Sequence, residues 1–455
     1  MKKISILFYL LVLISCTKKL ELKPESSLVV PSSIKDLESL LENNNAVMNL
    51  TPSLAQLSAD EYFIPSQTDF LSLRNVTGRT TYLWEKDIFQ GQTQITDWLT
   101  PYKAIFYANS VLGVLEQQPG SNDPAKAIVK GWALFVRAYS HYALVSTFSK
   151  AFDTQTSTTD LGIPIKLNAG IDQIEPRASV QQTYEQIIRD ATQSAELLQQ
   201  DIIPGKRNRP SKVAAYAFLA RVYLSMRQYP QAEENADKAL ALYSVLTDFN
   251  NLSLTAFGAF DYNSVETIYF SEMNLSLYTQ TAAFNSVVYG VDPELIGLYS
   301  SNDLRLPIYF RQNAAGNYNP KAINNISQIP FTGLATDEMY LIKAECLARR
   351  SEKDQALTLL NTLIQSRTQT GTFLPRTAES PQETLELILT ERRKALVWRS
   401  LRWTDLKRLN LEGRNIVLTR VLNGQNYTLE PNSPKYVMPI PDDEIVLSGI
   451  TQNMR

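Results

Sequence analysis

The amino-acid sequence predicts a mostly α-helical protein of about four helix pairs, interrupted by a loop-rich region that carries short strands. Three observations predict it. Apolar residues recur at helical spacing over long stretches of both halves of the chain. Small residues repeat at matching offsets in two of those stretches. From about residue 250 to 330 the chain is rich in Asn, Ser, Tyr, Phe and Gly, and no period lasts beyond pieces such as "TIYFSE".

The helices follow in order. Residues 97–117 place Trp98, Tyr102, Ile105, Phe106 and Val111 on one face, with Asp97 as the expected cap. Residues 124–148 start at Pro124 and carry Trp132, Phe135, Val136, Tyr139 and Tyr142 at helical spacing. Ser179 caps 179–200, and Ser211 opens 211–227, whose partner is 230–243. Helices return at 336–350, 353–368 and 381–398, with a short one at 401–410. Ala220 and Ala232 are separated as Ala344 and Ala356 are, and Leu240, Leu360 and Leu363 fill out the two units. A methyl at a helix crossing lets the axes draw together, whereas a bulkier group there overpacks the contact. The scaffold is therefore read as tetratricopeptide-like, with helical repeats at about 95–245 and 335–410.

The first residues carry a different message. Lys2 and Lys3 precede an apolar run, Ile4 to Ile14, that is too short to span a bilayer. It ends in Leu13-Ile14-Ser15-Cys16. Residues 1–15 read as a lipoprotein signal peptide, Cys16 as the lipidated residue, and 16–30 as a polar tether before one body over 31–455. Several acyl chains hold a protein firmly on a membrane, where one holds it weakly. Forty-four basic residues face 46 acidic ones, which leaves no basic footprint for nucleic acid. One histidine, His141, and one cysteine beyond Cys16, Cys346, make a His/Cys metal site or a disulfide framework untenable, and no cofactor is expected. Cys346 lies among Ala344, Leu347 and Ala348, the setting of a packed thiol.

Seven segments in order resemble one family. They are "SCTKKLELKPESS", "DWLTPYKAIFYANSVL" with Trp98, Tyr102, Ala108 and Asn109, "GWALFVRAYSHYALVSTF" with Arg137, "LGIPI", "RPSKVAAYAFLARVYL", "LILTERRKALVWRSLRWTDLKR" and "YVMPIPDDEI". Together they are similar to the SusD/RagB nutrient-uptake lipoproteins of the Bacteroidetes outer membrane. Arg399 and Ser400 depart from that pattern, which commonly has an acidic residue and then glycine there. The resemblance implies a lipid-anchored protein on the cell exterior. It would capture an oligosaccharide or peptide and deliver it to a SusC-like TonB-dependent β-barrel transporter, without catalysis.

The motif residues read mainly as structural: Asn109, Arg137, Asp303, Arg305, Glu391, Arg392, Arg402, Asp405 and Arg408 mix charges that join helices. The ligand is expected in the loop-rich regions, about 55–95 and 250–330. Aromatic rings there cover sugar faces: Tyr62, Phe70, Tyr82, Trp84, Tyr262, Tyr278 and Tyr289. Asp60, Asn75, Arg79, Asn263 and Asn285 are the polar companions. Two rival readings stand beside this one. A repeat scaffold of this kind can serve only to bind other proteins. A glycan-cleaving enzyme would need paired carboxylates, but Asp60–Glu61 and Asp442–Asp443 are adjacent and point to opposite sides of an extended chain.

Overall fold

The computed structural model describes residues 31–455, apart from 32, 44–46, 118–122, 171, 275–286 and 325–328. Nine long helices form the scaffold: α1 (Thr96–Glu116), α2 (Pro124–Phe148), α3 (Val180–Leu197), α4 (Lys212–Ser225), α5 (Tyr229–Leu242), α6 (Thr336–Arg349), α7 (Lys353–Gln365), α8 (Pro381–Ala395) and α9 (Arg402–Leu411). From α1 to α7 each packs on the next, and α8 lies on α6. The α5–α6 contact spans residues 243–335, so the loop-rich segment leaves the stack and returns to it.

The small-residue spacing has the consequence expected of it. Ala220, Ala232, Ala344 and Ala356 are all fully buried. The turns between α4 and α5 and between α6 and α7 repeat as well. Arg227 (φ 61°) and Ser351 (φ 71°) occupy matching places after Ala220 and Ala344 and turn the chain through the left-handed region. At the α2–α3 contact, Gly131 would put a Cβ 3.0 Å from Leu197 Cβ, so glycine sets how closely these helices approach. Ser179 and Ser211 cap α3 and α4 through Gln182 N and Ala214 N.

Two details correct the sequence reading. Asp97 does not cap α1; it is fully buried and accepts from Ser53 N and Leu54 N, both at 2.7 Å. It thereby anchors the short helix Leu54–Ser58. Phe106 is not on the buried face of α1, being 40% exposed. Residues 31–95 hold more order than the pattern suggested, with short helices at Ile34–Leu41, Leu54–Ser58, Gln67–Ser72 and Val76–Tyr82. Three of them span less than two turns, Ile34–Leu41 buries Leu37 and Leu41 on one face, and Ser33, Ser66 and Asn75 cap three of the four.

The strands of the described residues form two-stranded pieces. Thr267–Tyr269 pairs antiparallel with Leu334–Ala335, and Gly258–Phe260 runs parallel to Ala322–Asn324. Gly333 lies against the Tyr269 carbonyl so closely that any Cβ would collide with it. Leu418–Leu422 and Gln425–Leu429 form a hairpin turned by Asn423 (φ 52°) and Gly424 (φ 75°).

Charged side chains tie neighbouring elements together within each half. On one side Arg137 holds Asp190 through two hydrogen bonds of 2.7 and 2.8 Å and donates to Asn109 at 3.0 Å. Asn109 in turn donates to the carbonyls of Lys166 and Asn168. On the other, Arg408 reaches Glu345 on α6 (2.6 and 2.8 Å) and Asp405 (2.8 Å), while Arg392 on α8 also grips Asp405 (2.9 Å). Arg305 is bound to Asp303 at 2.7 and 2.9 Å and to Glu391, with Lys394 2.8 Å from Asp303. Arg399 turns to Asp337 at 2.8 Å, and Ser400 adopts φ 58°, a conformation that suits glycine.

Candidate ligand-binding site

Five of the rings selected from sequence lie in the core. The hairpin at 418–429 carries Arg420 into the early loops. Its guanidinium carbon sits 5.1, 4.0 and 4.5 Å from the ring centroids of Tyr62, Tyr82 and Trp84. Its nitrogens donate to the carbonyls of Ala59 (2.7 Å), Leu57 (3.2 Å) and Tyr82. Trp84, 1% exposed, donates to Ser58 O; Tyr289, fully buried, lies 6.3 Å from the rings of Tyr62 and Trp398; Phe70 packs on Tyr82. Tyr62, Tyr82 and Trp84 enclose a buried cation, Phe70 and Tyr289 pack behind them, and none of the five presents a face to solvent.

The polar companions are also engaged. Asp60 takes two 2.8 Å hydrogen bonds from Arg402 and lies 3.3 Å from Arg393. Burial pushes its pKa up, but the Arg402 charge and hydrogen bonds, with Arg393, prevail and hold it at about 2. Glu61 faces the other way, to Gln56 and Trp398 N, and burial lifts it to about 7. Asn75 caps the helix Val76–Tyr82 and Arg79 donates to Leu73 O. Tyr262 accepts from Asn208 N (2.8 Å) and packs its ring 4.8 Å from Phe270; Asn263 accepts from Gly205 N. Tyr278, Asn285 and Cys16 lie outside the described residues.

A pocket of about 110 Å³ opens in the loop-rich segment, in the region where the sequence placed the ligand. Its walls are rings. Phe260 ends the strand Gly258–Phe260, Phe270 follows Thr267–Tyr269, Tyr309 ends the short helix Arg305–Tyr309, and Phe331 precedes Leu334–Ala335. All four are half-buried. Phe270 and Phe331 tilt together at 5.9 Å, and Phe260 and Tyr309 at 6.3 Å. Two arginines brace the rings from behind: Arg399 lies 5.1 Å from the Phe331 centroid and Arg367 lies 4.1 Å from that of Phe249. Both are neutralised, Arg399 by Asp337 and Arg367 by Glu266 at 2.6 Å. Burial opposes the Asp337 charge, but Arg399 and Arg367 hold its pKa below the ordinary carboxylate value. Burial keeps Glu266 above that value despite Arg367, and the Asp337 charge adds to the rise.

A second hollow of about 440 Å³ lies between α5 and α6. Its charges face one another: Arg350 with Glu233 (3.0 Å), Lys343 with Asp237 (2.6 Å), Arg349 with Glu412 (2.8 Å). It offers one ring, Tyr229, already covered by Arg349 at 4.1 Å. The ring-walled pocket is therefore the candidate site. None of its four rings is among the candidates selected from sequence, because one aromatic residue in a loop-rich stretch looks like another until the fold brings distant ones together. The signal was present, since Phe260, Phe270 and Phe331 all fall where helical periodicity fails.

The chemistry of the pocket is that of holding, with flat apolar faces beside fixed, neutralised charges. Among the described residues no group of three or more His, Cys, Asp or Glu could hold a metal. His141 is buried away from the pocket, its pKa drawn down to about 3 by burial and then by Arg137. The Cys346 thiol is buried and pushed well up. No helix of the described residues is long and apolar enough to cross a membrane.

Comparison with known proteins agrees with this architecture. Residues 18–224 match a family model described as "Starch-binding associating with outer membrane", and residues 322–455 match one described as "SusD family". A search of curated proteins gave no significant match. Among solved structures, the chain resembles a SusD superfamily protein from Bacteroides thetaiotaomicron at 19% identity and TM-score 0.74, over 93% of this chain and all of that one. A SusD superfamily protein from Bacteroides fragilis aligns at 20% identity and TM-score 0.74, covering 92% of this chain and 99% of its own. A SusD-like carbohydrate binding protein from Bacteroides vulgatus aligns at 21% identity and TM-score 0.67, over 92% and 97% of the two chains. With one end of the chain matched by each model and a helical stack interrupted by a loop-rich segment, the protein belongs to the SusD/RagB family.

Proposed function

We propose that the protein captures an oligosaccharide at the ring-walled pocket and passes it, uncleaved, to a TonB-dependent β-barrel transporter of the outer membrane. The family membership supports a glycan cargo, and the solved carbohydrate binding protein from Bacteroides vulgatus is consistent with it. The observation that carries the reading is the cluster of four half-buried rings around one opening. A ring half-covered by ligand hides roughly 75–125 Å², worth about 2–3 kcal/mol. Association costs at least ~4 kcal/mol, so one ring cannot hold a glycan and two or three together can.

Isothermal titration with maltoheptaose and a panel of plant and host oligosaccharides tests this. At least one should bind, and Phe331→Ala should weaken it by roughly tenfold or more. Unchanged affinity in the variant would remove the pocket from the mechanism. Incubated ligand should be recovered intact by chromatography, and cleavage products would reverse the non-catalytic reading.

The anchor belongs to the same proposal. Cys16, with its lipobox-like "LISC", is read as the lipidated amino terminus of the mature chain. Cys16→Ala should abolish incorporation of radiolabelled palmitate and move the protein out of the membrane fraction. Persistence of label in the variant would refute the anchor. Copurification of a β-barrel transporter with the wild-type protein is the expected sign of delivery.

A further inference from the structure

We infer that the captured glycan carries a small apolar substituent, an acetyl or similarly short acyl group, and that the pocket floor is the seat for it. This deepens the cargo-binding reading and rests on it. Three observations carry the inference.

The first is size. The pocket holds about 110 Å³. An apolar cavity of ~150 Å³ is what accommodates benzene, and a pyranose with its rim of hydroxyls is bulkier than benzene. A whole sugar ring therefore stays at the mouth, over the rings, and only a smaller group enters.

The second is the lining. Ile308, Phe310, Ala335, Ala395 and Val397 are all buried and offer no side-chain hydrogen bond. The carboxylates beside them are engaged, Glu266 with Arg367 Nη2 and Thr247 N, both at 2.6 Å, and Asp337 with Arg399 at 2.8 and 3.1 Å. A hydroxyl set against these five side chains gives up water for no partner, which is unfavourable, and the polar groups of the lining stand apart from them on Glu266, Thr267 and Arg399. A methyl placed there gains from the same burial.

The third is the rim. Leu254, Phe257 and Val265 are 42%, 40% and 45% exposed. Lys321, which lines the pocket, ties the first of them to it through a 2.6 Å hydrogen bond to Leu254 O, and Val265 follows the lining residue Ser264. Exposed apolar side chains thus sit on segments next to the pocket, while Asp261 and Ser264 line it, where sugar hydroxyls can be met.

Titration with acetylated xylo- and gluco-oligosaccharides, each beside its alkali-deacetylated twin, tests the inference. The acetylated form should bind at least about fivefold tighter than its twin. Ser264→Trp, which crowds the mouth from a half-buried position, should erase the difference. If that variant fails to fold by circular dichroism, the wild-type comparison and Phe331→Ala still decide. Equal affinity of the twins, lost in Phe331→Ala, overturns the substituent and leaves glycan capture standing. Binding of neither form, nor of any oligosaccharide in the wider panel, overturns both. Tighter binding of the peptide Gly-Gly-Leu-Gly than of any acetylated sugar overturns the acyl-glycan assignment in favour of an apolar side chain.

Discussion

Arg408→Met lowers the stability of the folded protein by about 3–5 kcal/mol, the usual cost of leaving buried carboxylates without their cation. Arg408 is fully buried, as is Glu345, which it holds through both carboxylate oxygens at 2.6 and 2.8 Å. Removing the guanidinium leaves Glu345 with Arg349 alone, at 2.9 Å, and Asp405 with Arg392. The cation's pKa is raised and those of both acids are lowered, because their mutual charges and hydrogen bonds outweigh burial. Urea denaturation measures the loss. The double variant Arg408→Met/Glu345→Gln should recover part of it, since one stranded charge has gone. A loss under about 1 kcal/mol in the single variant would mean that these charges are solvated and do not join α6 to α9.

Lys407 supplies the second large effect, and it depends on pH. Its ammonium reaches the carbonyls of Ser146 (2.9 Å) and Ser149 (2.6 Å) at the end of α2. Burial draws its pKa from the ordinary 10.5 down to about 7. Because the folded value lies below the unfolded one, the unfolded chain holds its proton to higher pH. Burying the charge is fully penalised below pH 7, and the penalty fades as pH rises toward 10.5. At ~1.4 kcal/mol per tenfold change, the wild type should gain roughly 3 kcal/mol relative to Lys407→Met between pH 7 and 9.5. Denaturant midpoints of both proteins across that range provide the check. Parallel pH profiles would show that the two carbonyls and the negative end of α2 keep the amine charged.

Particular residues show where the sequence spoke clearly and where it did not. The long helices were legible because burial on one side imposes a period, and Ser179 and Ser211 marked their starts. The Ala220/Ala232 and Ala344/Ala356 spacing exposed the repeat because close packing tolerates little else there. The early short helices were harder to read, since three of them span five to seven residues, less than two full turns, and only Ile34–Leu41 is long enough to bury Leu37 and Leu41 on one face. The hairpin at 418–429 carries Asn423-Gly424, a pair suited to two successive left-handed residues, but that local signal does not say what the hairpin packs against. That hairpin decides the fate of Tyr62, Tyr82 and Trp84. In sequence a tyrosine in a loop looks the same whether it faces a ligand or a guanidinium from a distant strand. Arg420 is far along the chain from Tyr82, and only the fold brings them together.

The embrace of Arg420 by Tyr62, Tyr82 and Trp84 also sets an order of events during synthesis. These early rings cannot enclose their cation until the ribosome has made Arg420, 338 residues after Tyr82. The same holds for Asp60, which waits for Arg402, and for Phe148, whose carbonyl accepts from Asn453 at 2.7 Å. Closure of the early segments is thus withheld until residues 402–453 have been made, so the first hundred residues stay open for most of the time that the described chain takes to emerge.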